Sequence, residues 1–128
     1  MPTANLWLST ARLLAAATLA VVAVSFVTAG ALVQAGELLD VHGTAAIALH
    51  VVSGALTVTL ILLARQRGYG WPAAVVAGAL FVFSFVQAYL GKGFTVGIHI
   101  PGALAVAVAA TWLVMWVFRG ERTAVVDR

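Results

Sequence analysis

Cysteine is absent and charge is scarce. With no thiol, the chain has neither a disulfide framework nor a thiolate metal site. Charged side chains make up only 9% of the 128 residues against 63% hydrophobic ones, and mean hydropathy is +1.09. A soluble domain of this size could not cover so much apolar surface with so few charges. Nucleotide-binding loops, nucleophile triads and paired carboxylates inside apolar segments are also missing, so most enzyme classes have no support. The pI near 10.2 is no sign of nucleic-acid binding, because the basic residues are few and sit at the ends of apolar runs.

What is present is a set of four apolar segments, at about 13–34, 41–65, 72–90 and 95–118. Each meets or approaches the roughly 20 residues needed to cross hydrocarbon. Apart from Arg65, which closes the second, none holds Asp, Glu, Lys or Arg. The gaps are short and carry glycine and polar residues, which makes consecutive helices antiparallel neighbours. The expected architecture is an all-α integral membrane protein: one antiparallel four-helix bundle over residues 1–128. The first segment is longer than the apolar stretch of a signal peptide, so it is read as a retained span.

Arg12, Arg65, Arg67, Arg119, Arg122 and Arg128 fall on one side of this arrangement; Lys92, Glu37 and Asp40 fall on the other. The positive-inside rule makes the arginine side, with both termini, cytoplasmic. Trp112 and Trp116 suit an aromatic belt at that interface.

The tripeptide Val-Gln-Ala occurs at 33–35 and again at 86–88, each time before a glycine-containing loop and a histidine. Those histidines are His42 and His99, so the chain reads as two hairpins of similar design. On the second helix His42, Ala46, His50, Ser53 and Thr57 fall within an arc of about 80°, extended to about 120° by Gly43 and Gly54. Val51 and Val52 lie on the other side. In membranes polar groups avoid acyl chains and small residues gather at helix contacts, so this arc should face the interior. On the fourth helix His99, Ala103, Ala107 and Ala110 share a face bordered by Gly102. Ser84, Gln87 and Gly91 lie together on the third, and Gly30 with Gln34 on the first. The expected lining is therefore Gln34, His42, Ser84, Gln87 and His99, spaced by glycine and alanine.

Both His42 and His99 open a helix that starts at the outer surface, which places them at one depth. His50 is about 12 Å deeper. Two imidazoles at equal depth on helices two and four can take opposite faces of a flat macrocycle, as bis-histidine haem ligation requires. Each ligating ring then needs an acceptor for its other nitrogen: a helix carbonyl or a glutamine oxygen would serve. Pro101 frees the Gly97 carbonyl near His99. The plainer roles are interhelical hydrogen bonds for His50, Gln34 and Gln87, headgroup contact for His42 and His99, and ordinary packing for Phe81, Phe83 and Phe85. Three histidines at two depths make no tetrahedral zinc set.

The stretches Phe26-Val-Thr-Ala-Gly-Ala-Leu-Val-Gln-Ala-Gly-Glu, Asp40-Val-His-Gly, Gln87-Ala-Tyr-Leu-Gly and Ile98-His-Ile-Pro-Gly-Ala resemble one four-helix half of haem A synthase. They are also similar to small four-helix membrane proteins of actinobacterial type. The resemblance implies a haem bracketed by His42 and His99 in a bacterial plasma membrane. Gly43, Gly102, Gln34, Gln87 and His50 complete the expected cofactor surroundings. The chain departs from that enzyme in having half its length, Leu39 where the enzyme has a carboxylate, and no loop cysteines. Haem oxidation is therefore not expected of it as a stand-alone enzyme.

The leading expectation is a b-type haem protein for electron transfer, haem handling or redox sensing. Its partners would be the bilayer and a second copy or a larger membrane complex. The alternatives are a non-haem accessory subunit, or a bundle that binds a quinone or lipid with His50 as its proton-active group.

Overall fold

A computed structural model describes residues 2–119. All of the regular structure in this range is helical: α1 (Pro2–Ala35), α2 (Leu39–Arg67), α3 (Trp71–Leu90) and α4 (Val96–Arg119), with a single 3-10 turn at Gly93–Thr95 before α4. Each of the four long helices is long and apolar enough to span a membrane. Arg122 and Arg128, assigned above to the arginine side, lie outside the described residues.

The helix ends follow from local chemistry. Gly36 and Leu38 both have positive φ (72° and 64°), which turns the chain sharply between α1 and α2. A left-handed leucine is costly, since only glycine adopts that region freely. Asp40 in the first turn of α2 and Arg65 and Arg67 in its last turn match the helix dipole. Gly68 closes α2 in the left-handed conformation and gives its N–H to the Ala64 carbonyl. Pro72 sits in the first turn of α3, where its missing N–H is no loss. Thr95 holds the turn before α4 by donating its hydroxyl to the Leu90 and Lys92 carbonyls, at 2.7 Å each.

The helices run up and down. α1 packs on α2, α2 on α3, α3 on α4, and α4 returns to α1. Their apolar core is densest towards the end that carries Arg12, Arg65, Arg67 and Arg119, where Leu56, Leu60, Leu63, Leu113 and Val117 are almost wholly buried among Ala11, Ala15, Ala73 and Ala77. The other half, the histidine end, buries Thr28, Ser53, Ser84 and Gln87. Large apolar residues such as Val27, Val51, Val75 and Val108 point outward, as expected where the surroundings are lipid.

α1 begins about ten residues before the expected start. The expectation tracked the uncharged run and stopped at Arg12. Inside the helix, however, Arg12 donates from Nε to the Val117 carbonyl (3.0 Å) near the end of α4 and lies over the Phe118 ring. Placed there, the guanidinium meets the negative end of the α4 dipole, and helix can continue on both sides of it.

The buried hydroxyls are satisfied within their own helices. Thr18, Ser53, Thr59 and Ser84 each donate to a carbonyl three or four residues back, at 2.6–2.8 Å. Among the described residues, side-chain hydrogen bonds cross between helices only from Arg12, His42 and His99.

Candidate functional site

His42 lies in the second turn's approach of α2, facing α1. Its Nδ1 is 3.1 Å from the Ser25 carbonyl and 3.0 Å from the Thr28 hydroxyl oxygen. A carbonyl can only accept, so the proton belongs on Nδ1. The Thr28 hydroxyl is consistent with this, because its own proton goes back to Val24 at 2.9 Å. In the neutral ring the lone pair is then on Nε2.

His99 is held in the same chemical manner from the other hairpin. Its Nδ1 donates to the main-chain carbonyl of Gln87 at 2.9 Å, which also accepts the Gly91 N–H at 3.1 Å. Again the geometry selects, for the neutral ring, the tautomer with its lone pair on Nε2. The acceptor is on α3. It is not the Gly97 carbonyl that Pro101 frees, because the ring reaches across to the preceding helix and away from its own turn.

A ring anchored through Nδ1 to a carbonyl, with Nε2 unprotonated, is the arrangement metal-ligating histidines commonly use. Here it occurs twice, on α2 and α4, which lie diagonally in the bundle. No contact joins the two rings among the described residues, and no group of three or more His, Asp or Glu side chains gathers there. Each histidine is drawn to the helix before it.

Gln87 is 6% exposed, and its amide lies against Gly102, in the space that a Cβ on that glycine would need. Among the described residues, neither the amide nitrogen nor its oxygen has a hydrogen-bond partner. His50 is deeper and belongs to another contact. Its ring stacks on Phe85 at 3.9 Å between centroids with a 5° interplanar angle, and its buried Nε2 has no partner among the described residues.

Two expected lining residues are elsewhere. Gln34 is exposed, because it lies about 120° around α1 from Val22 and the buried face. Gly43 is exposed as well. The buried arc of α2, defined by Leu49, Ser53, Leu56 and Leu60, centres about 50° away from where the polar residues alone place it. His42 and Ser53 remain within that arc; His50 and Gly54 move to its α3 flank. The matching Val-Gln-Ala tripeptides therefore do not place like side chains alike: Gln87 is buried and Gln34 is not.

Ser25 and Thr28 were not among the expected site residues. The available signal was their i, i+3 spacing near the end of α1, at the depth of His42. Outside the interior, a groove of about 600 Å³ runs along the α3–α4 seam between Val76, Pro101, Leu104, Val108 and Trp112. Its walls are almost entirely apolar and offer a polar ligand little.

Compared with protein-family models, curated proteins and solved structures, the chain matches none.

Proposed function

We propose that this chain is a membrane-embedded b-type haem protein whose iron is taken by Nε2 of His42 and of His99. The observation that carries this is the paired anchoring: Ser25 O holds one Nδ1 and Gln87 O the other. Both rings are thereby prepared as neutral ligands, with orientation and basicity set by a carbonyl. Ala46, Ala103 and Gly102 beside them are small, which suits a bundle that must admit a flat group. Bound haem would supply a reversible one-electron change at iron. The chain's own residues orient the ligands, keep their protons on Nδ1 and shield the site with apolar helices.

The resemblance of the His42 and His99 stretches to half of haem A synthase supports the same assignment. Leu39 and the absence of cysteine speak for haem binding without haem oxidation, in electron transfer, haem handling or redox sensing. With the arginine-rich end cytoplasmic, as the charge distribution argues, the haem would lie near the outer face of a bacterial plasma membrane. A second copy would rebuild an eight-helix assembly.

Purification from haem-replete membranes and an absorption spectrum test the proposal. The expected result is a Soret band with the sharp visible bands of six-coordinate haem, lost or converted in His42→Ala and in His99→Ala. A colourless protein rejects it and favours an accessory subunit; so does a spectrum unchanged by both substitutions.

A further inference from the structure

His50 is the ionisable group that the haem assignment leaves unused. It lies eight residues beyond His42, about 12 Å further along α2. Its Nε2 is buried without a hydrogen-bond partner among the described residues, and such a group in an apolar interior is costly. The ring stacks on Phe85, Phe85 meets Phe81 edge-on at 5.2 Å with an 84° angle, and Phe81 packs on Gly54. The α2–α3 seam at this depth is thus one polar nitrogen set in a layered aromatic wall. Phe85 is 49% exposed on the lipid-facing side, so the wall is reached from the bilayer.

We propose that the α2–α3 seam at His50 and Phe85 binds a lipid-soluble ring carbonyl compound of the quinone class. Its carbonyl oxygen accepts a hydrogen bond from Nε2–H of His50, and its flat ring lies against the phenylalanines. The half-exposed Phe85 ring turns into lipid to open the imidazole edge. A charged ligand is excluded, since no charged side chain lies within reach of this depth on α2 or α3 to offset its desolvation. An acyl chain has no acceptor for Nε2–H, and phospholipid ester carbonyls stay at the headgroup level. A quinone head on an isoprenoid tail carries its carbonyls into the hydrocarbon.

The inference does not depend on the haem assignment, and its test uses full-length protein from haem-depleted membranes. A photoreactive azidobenzoquinone is added in detergent, with and without an excess of short-tailed benzoquinone, and the labelled peptides are mapped by mass spectrometry. Affinity for the unlabelled quinone is measured in parallel by calorimetry. Competed labelling confined to residues 47–57 and 81–89 is expected. His50→Phe should weaken binding at least about tenfold, while His50→Gln, which keeps an N–H donor, should stay within about threefold of wild type. Absence of competed labelling, labelling elsewhere, or equal affinity in His50→Phe would overturn the site. Because His50→Gln keeps the hydrogen bond, its loss of binding in a folded, monodisperse protein would overturn it too.

Discussion

Among the residues of the histidine end, the two candidate ligands differ in how easily their anchors can be removed. The Thr28 hydroxyl is a side chain, so Thr28→Val takes away one of the two acceptors of His42 Nδ1–H. Haem affinity, measured by titrating haem into the haem-free protein, should fall by up to about tenfold, since the Ser25 carbonyl remains. The anchor of His99 is main chain. Gln87→Leu should therefore leave the haem spectrum unchanged, although the side chain beside the site is gone. The same substitution removes an amide that has no partner, so thermal stability in detergent should hold or rise. That His42 and His99 merited attention was legible in the sequence, because imidazole is rare and expensive in apolar helices. Ser25 and Thr28 were not. A hydroxyl in a membrane helix is equally content with its own carbonyl, and most of those here are.

Of the four helices, α2 shows where pattern ends and packing begins. Its limits could be read to within about two residues, from the uncharged run and from Gly68. Its inward face could not, because leucines rather than the polar residues define it. In lipid an apolar side chain is welcome on either face, so hydropathy carries little phase information. The α3–α4 contact at Gln87 and Gly102 allows a direct check of packing. Gly102→Ala should destabilise the bundle by about 1–3 kcal/mol, because its Cβ would occupy the space of the Gln87 amide. In a Gln87→Ala background the same substitution should cost almost nothing. Thermal unfolding of the four proteins of this cycle gives the coupling. On the α2–α3 side, Gly54 is the matching close approach, with the Phe81 ring 3.0 Å from where a Cβ would be.

For the molecule as a whole, the up-and-down course puts Arg12, Arg65, Arg67 and Arg119 at one end, and Glu37, Asp40 and Lys92 at the other. This asymmetry was plain in the sequence, since charge positions relative to spans need no side-chain geometry. A reporter active only in the cytoplasm should work when fused after the last residue and fail when inserted in the loop at Lys92. Replacing Arg65 and Arg67 with glutamate should raise the fraction of inverted molecules in the same assay.

Among the described residues, the side chains that hydrogen-bond from one helix to another are unevenly distributed. His42 ties α2 to α1 and His99 ties α4 to α3, each within one hairpin; Arg12 ties α1 to α4, joining the hairpins at the opposite end. The molecule is laced like a clothes-peg, with its spring at the arginine end and its jaws at the histidines. Among the described residues, spreading the jaws breaks no side-chain hydrogen bond. The apolar contacts given up are replaced by lipid tails, which are no less apolar. In the proposed haem-bound form, a flat guest would enter at this end while both imidazoles stay fastened to their own hairpins.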